Sequence, residues 1–173
     1  PASSSAPRPP AFALLFGLFG GSADYFAHQE MGHGAAASHR YAGKSPVHRP
    51  GYLTDLFTAE AVSWLRTKRS KPFFLYLPFN APHTPIQDPD EFDSATGTAP
   101  HRNRQRSVYA KMVSRLDTSI GAVLRQIDAM GAADNTLLLF LSDNGADPNG
   151  RNLPYRGLNS TLWEGGTRAP CAN

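Results

Sequence analysis

Two helical stretches in this chain each hand over to a short apolar run, in the order helix, strand, helix, strand. From Tyr52 to Arg69, apolar side chains at Leu53, Phe57, Ala61 and Leu65 recur every four residues, with Leu56 and Val62 beside them. That spacing is one face of an α-helix. Thr54 is placed to cap its start, with Asp55 in the first turn. Lys68, Arg69 and Lys71 suit its C-terminal end. Pro72 then breaks the helix, and Phe73-Phe74-Leu75-Tyr76-Leu77 is expected as a buried strand. The proline-rich stretch from Pro78 to Pro85 cannot continue a ladder. A second helix is expected over roughly Ser107 to Met130. Its buried stripe is Val108, Met112, Leu116, Ile120, Val123, Leu124 and Ile127, and Gly131 closes it. The run from Thr136 to Leu141 is the second expected strand.

A helix between two strands lets them lie parallel through a right-handed crossover. Both strands then end on the same edge of the sheet, where open α/β sheets bind their ligands. His83 follows the first strand. Ser142-Asp143-Asn144-Gly145 follows the second. A carboxylate and a side-chain amide at that edge are hard oxygen donors of the kind Ca²⁺ takes. Asn-Gly is also a common plain turn, and the residues alone leave both readings open.

The remaining chain is less regular. Its 173 residues suffice for one domain with a core. Residues 1–11 are rich in Pro, Ser and Ala and read as a disordered tail. Residues 12–21 form an apolar segment too short to span a bilayer, and no charged region precedes it as in a secretory signal. Residues 22–51, rich in Gly, Ala, His and Ser, read as a long loop. His28, His33, His39 and His48 are scattered through that loop without metal-ligand spacing. The net charge of +3 is mild. The basic cluster from His101 to Arg106 has no aromatic interleaving, so it reads as a solvated loop, and nucleic acid is not an expected partner. The single Cys171 excludes an internal disulfide framework and a multi-cysteine zinc site.

Three blocks stand together in order and spacing: Lys71 to Pro85 (KPFFLYLPFNAPHTP), Leu139 to Gly145 (LFLSDNG) and Tyr155 to Pro170 (YRGLNSTLWEGGTRAP). Together they resemble the sulfatase family, of arylsulfatase type, within the alkaline-phosphatase superfamily. The segments Phe16 to Tyr25 and Tyr109 to Asp117 resemble the family as well, so the likeness covers most of residues 12–170. It implies an α/β domain with a mixed, largely parallel sheet flanked by helices, of which residues 12–173 form a part. The implied activity is hydrolysis of sulfate esters, on a sulfated small molecule or glycan. By the same resemblance, Asp143 and Asn144 correspond to two ligands of the family's Ca²⁺. His83 corresponds to its active-site histidine, a catalytic and substrate-binding residue. A secreted, lysosomal or periplasmic location is implied too.

The departures from the family are equally informative. Its nucleophile is a formylglycine made from Cys or Ser in a Cys/Ser-x-Pro-x-Arg motif. Cys171 is followed by Ala172 and Asn173 and does not match, and Ser5-Ala6-Pro7-Arg8-Pro9 places its arginine one position early. The first metal carboxylates and a Lys-x-His element are absent as well, so the isolated chain is not expected to turn over. In the third block the family has Arg-Gly-x-Lys where this chain has Arg156-Gly157-Leu158-Asn159. Asn159 would meet a sulfate with a neutral amide instead of a cation. Losing one charged hydrogen bond costs about 1.5–3 kcal/mol. Arg156 and Arg168 are expected either to pin loops or to contact substrate. Trp163 and Tyr155 are expected to pack, and Glu164-Gly165-Gly166 to supply turn geometry. Two alternatives stay open: a non-catalytic homologue that binds sulfated ligands, and a phosphoester hydrolase or transferase of the same superfamily.

Overall fold

The computed structural model of the chain describes residues 16–18, 22–29, 40–42, 45–47, 49–67, 70–92 and 106–172. The expected N-terminal tail, most of the basic cluster and the pair Lys68 and Arg69 lie outside these. In chain order the elements are β1 (Phe16–Gly17), β2 (Arg40–Ala42), β3 (Ser45–Val47), α1 (Leu53–Leu65), α2 (Arg106–Ala129), a 3₁₀ turn (Ala133–Asn135), β4 (Phe140–Leu141), α3 (Glu164–Thr167) and β5 (Cys171–Ala172).

Helix α1 starts near its expected residue but ends earlier, at Leu65, with Arg66 as the capping position. Thr54 is not the N-cap. Tyr52 holds that position without a side-chain bond, and Thr54 is fully buried in the first turn. The helix start is fastened by a tertiary bond instead: the Leu53 amide donates to the Tyr25 carbonyl at 2.8 Å. Helix α2 runs one residue earlier than expected at each end. Gly131 follows it at φ +69°, the left-handed conformation that glycine adopts freely at a helix end. Val108, Met112, Ser119, Val123 and Ile127 form its buried face, whereas Leu124 is exposed.

The two helices pack on each other, with apolar clusters at both ends of the contact. One cluster joins Leu53, Phe57, Val108 and Met112 to Ala23, Tyr25, Phe26, Tyr52, Ala81 and Ile86. The other joins Ala61, Leu65, Val123 and Ile127, with Phe73, Leu75, Leu77 and Leu138 packed against it. Segment 22–29, expected as loop, is part of the first cluster. Asp24 Oδ1 accepts from the amides of Phe26 (2.8 Å) and Ala27 (2.6 Å). Its Oδ2 accepts from Gln87 Nε2 at 2.7 Å, and Gln87 Oε1 accepts from the Tyr25 amide at 2.8 Å. This network fastens 22–29 to the stretch after the prolines. Beside it, Lys111 Nζ donates to the buried carboxylate of Asp88.

The expected strands are only half realised. Residues 73–77 are extended, with Phe73, Leu75 and Leu77 half-buried and Phe74 and Tyr76 largely exposed. That alternation covers one face, not two. In the second run, Leu138 packs inward, Leu137 and Leu139 are exposed, and only Phe140 and Leu141 join a ladder. That ladder is antiparallel, to Cys171–Ala172, and β1-β2-β3 is an antiparallel ladder too. No ladder joins 73–77 to 136–141 among the described residues, so the parallel pairing is not realised in these ladders. The second face of both runs has no described neighbour, and their side chains stand in solvent. Strands β2 and β3 interrupt the expected loop over 22–51.

Candidate active site

The ends of the two extended runs meet at one cavity of about 2280 Å³. His83 and Asn80 line it from the proline-rich stretch. Asp143 and Asn144 line it from the turn after β4, and Asn159, Arg151, Tyr155 and Arg168 from the C-terminal loops. His83, Asp143, Asn144 and Asn159 thus all lie along the walls of one large cavity.

His83 is exposed on a turn closed by its own amide, which donates to the Asn80 carbonyl at 2.8 Å. The Ala81-Pro82 and Thr84-Pro85 peptides on either side are cis. His83 Nδ1 lies 2.7 Å from the Thr84 carbonyl oxygen and 3.3 Å from the Thr84 hydroxyl. A carbonyl can only accept, so Nδ1 carries the proton and Nε2 is the nitrogen left for a ligand.

The Asp143 turn is held by backbone. Ser142 Oγ donates to the Asn144 carbonyl at 2.9 Å, and the Gly145 amide donates to the Gly166 carbonyl at 2.9 Å. Asp143 is exposed and Asn144 half-buried. Asn152 clasps the next residue from both sides. Its Oδ1 accepts from the Ala146 amide at 2.8 Å, and its Nδ2 donates to the Ala146 carbonyl at 2.9 Å. The Asn159 amide donates to that same carbonyl at 3.0 Å, which sets Asn159 against the Asp143 turn. Gly165 and Gly166 pack so closely on the 156–161 backbone that a β-carbon at either would collide with carbonyl oxygens. Their role is close backbone approach.

The two arginines separate. The Arg156 guanidinium sits 3.9 Å from the centre of the Trp163 ring, away from the cavity wall, and Trp163 is half exposed instead of packed in a core. Arg168 lines the cavity, lies 4.7 Å from the Tyr155 ring centre and is 3.6 Å from Glu164. Tyr109 lines the cavity as well, and burial, then the Asp147 carboxylate, raises its phenol pKa. Sequence reasoning missed Asn152, Arg151 and the Asp24–Gln87 network. Asn152 and Gln87 lie outside the motif blocks and act by bonding into or beside them, Asn152 to Ala146 and Gly157 and Gln87 to Tyr25 and Asp24, and spacing carries no signal for such contacts.

Among the described residues no three His, Cys, Asp or Glu side chains cluster as a metal site. Asp143 and Asn144 are hard oxygen donors and fit Ca²⁺ in kind, but Ca²⁺ takes about six to eight oxygens, so two side chains are only part of a site. None of the described helices is long and apolar enough to cross a membrane.

The family model for Sulfatase matches residues 16–171. Arylsulfatase J of Mus musculus is 34% identical over 170 residues, covering 94% of this chain and 28% of that protein. The uncharacterized sulfatase YdeN of Escherichia coli K12 is 35% identical, covering 85% of this chain and 27% of its own length. The crystal structure of Ps i-CgsB in complex with k-i-k-neocarrahexaose superposes with a TM-score of 0.80 at 30% identity, covering 99% of this chain and 41% of that one. The chain therefore spans about a quarter of the length of these curated relatives, and its α/β fold is part of theirs. It belongs to the sulfatase family.

Proposed function

We propose that this chain supplies one side of the active site of a sulfate-ester hydrolase. The carrying observation is convergence: a histidine with a free Nε2, a carboxylate and amide pair, and the cations Arg151 and Arg168 all line one cavity. A sulfate ester is anionic, and such a set can hold its oxygens and exchange a proton with its bridging oxygen. His83 Nε2 would accept or donate that proton. Asp143 and Asn144 would hold Ca²⁺ together with donors from elsewhere in a longer protein. The ion, when bound, neutralises sulfate charge and orients the group for attack. The nucleophile, a formylglycine by family, would come from outside these residues, so the isolated chain is inactive. The substrate is a sulfated small molecule or glycan, and the compartment is secreted, lysosomal or periplasmic, as the family resemblance implies.

Asn159 favours a second reading, a homologue that binds sulfated ligands without cleaving them, because a neutral amide stands at a position where a cation would hold the sulfate. The discriminating experiment assays a longer protein carrying this chain on para-nitrophenyl sulfate and para-nitrophenyl phosphate. Hydrolysis of the sulfate, reduced about a hundredfold or more in His83→Ala, is the expected result. Sulfate binding without turnover would select the binder. Cleavage of the phosphate alone would reverse the assignment.

A further inference from the structure

The turn that presents His83 is held from beneath by a residue no motif singles out. Tyr25 is fully buried, and its ring stacks on Tyr52 with centres 5.0 Å apart. Its hydroxyl lies 2.9 Å from the His83 carbonyl and 3.0 Å from the Asn80 carbonyl. These two carbonyls bracket the turn that the His83 amide closes. A phenol has one proton to donate, so the two acceptors share it. The tyrosine is fixed at its other end by the Gln87–Asp24 network. A rigid chain of contacts thus runs from a buried carboxylate to the backbone of one exposed histidine.

The geometry points to Tyr25 as a positioning residue for His83: its hydroxyl fixes the Asn80–His83 backbone so that His83 Nδ1 stays on the Thr84 carbonyl and Nε2 stays free. The inference deepens the reading of His83 as the proton-transferring group and rests on it for its functional meaning. The positioning itself can be measured without turnover. Burial raises the Tyr25 phenol pKa well above its ordinary value, so the hydroxyl keeps its proton across the working pH range. The hydroxyl is bonded to the two carbonyls that bracket the His83 turn, directly before the Thr84 carbonyl that orients the imidazole.

The test uses the 173-residue chain and its Tyr25→Phe variant. Long-range nitrogen–proton NMR reads the His83 tautomer, and hydrogen exchange reads the His83 amide. In the parent chain His83 is expected as the Nδ1–H tautomer over the pH range where it is neutral. In Tyr25→Phe it should become a mixture, and the His83 amide should exchange about tenfold faster, the loss of roughly one hydrogen bond. Exchange within α1 should stay unchanged. An unchanged tautomer, or an increase in exchange spread equally over α1, overturns the proposal. If the variant does not fold, the parent chain still decides: a slowly exchanging Tyr25 hydroxyl proton with a cross-peak to the His83 or Thr84 backbone supports it, and a rapidly exchanging one overturns it. Titration with inorganic sulfate separates the two claims. A His83 ring blind to sulfate in the parent chain counts against the functional reading and leaves the tautomer result standing.

Discussion

The carbonyl oxygen of Gly165 occupies the space that a β-carbon on residue 145 would need. The Gly145 amide meanwhile donates to Gly166 at 2.9 Å. The Asp143 turn and the 163–168 loop are thus interlocked at their backbones, and the interlock depends on three glycines, Gly145, Gly165 and Gly166. Gly145→Ala is expected to cost about 3 kcal/mol through overpacking against rigid backbone. Gly131 has open space around it and only its φ of +69° to protect. Gly131→Ala should therefore cost nearer to 1 kcal/mol. Urea unfolding of both variants checks the ranking, and equal costs would contradict it.

Gln87 is fully buried, and its side chain serves two partners at once, the Tyr25 amide and Asp24 Oδ2. Gln87→Leu keeps much of the volume and removes both bonds. A buried polar group left without a partner costs about 1–3 kcal/mol, so a drop of at least that size is expected in the free energy of unfolding. A change within experimental error would mean that the network does not fasten 22–29 to the core.

Burial, helped by the Asp90 carboxylate, raises the Asp55 carboxyl above its ordinary pKa of 3.8 against the lowering pull of the Arg115 guanidinium at 3.1 Å. The folded chain therefore holds this proton more tightly than the unfolded chain. The contribution of Asp55 to stability is most favourable below the ordinary carboxylate range and is lost as pH rises through the raised value. Asp55→Asn should thus gain on the parent chain as pH increases from the acid side towards neutrality. Thermal melts across that range read the sign, and a difference growing in the other direction would show that the Arg115 pair dominates.

Two donors make a poor calcium site. Calorimetry on the isolated chain should give a Ca²⁺ dissociation constant no tighter than about 10⁻⁴ M, and Asp143→Ala should abolish what binding there is. Micromolar affinity that survives both Asp143→Ala and Asn144→Ala would place the ion elsewhere.

Phe74, Tyr76, Leu137 and Leu139 are exposed on two extended segments that line the same cavity. An uncovered apolar surface flanked by unpaired strand edges promotes association. Phe74→Lys and Leu137→Lys should reduce self-association in sedimentation measurements without lowering the melting temperature, since neither side chain contributes to the core. A lowered melting temperature would show that these faces are covered in solution.

Residues 53–65 and 106–129 declare themselves by apolar spacing because a helix repeats its face locally, and the helix–helix core follows from those faces. His83 and Asp143 drew notice for a related reason: each follows an apolar run, although the parallel pairing expected to join those runs is not among the described ladders. The misjudged positions depend on distant partners. Thr54 looks like a cap, but the Leu53 amide finds the Tyr25 carbonyl and no side-chain cap forms. The apolar runs 73–77 and 136–141 look buried, yet one face of each stands open, because burial of a strand is decided by its neighbours and not by its own residues.

The sequence by itself determined the two helices and the family to which the chain belongs, since both rest on local periodicity and ordered motifs. Only the tertiary structure decided how the site is held. Tyr25 is linked to His83 across 58 positions, and Gln87 to Asp24 across 63. Hydrogen bonds between residues so far apart in the chain leave no periodic trace, because their geometry exists only once the helices have packed.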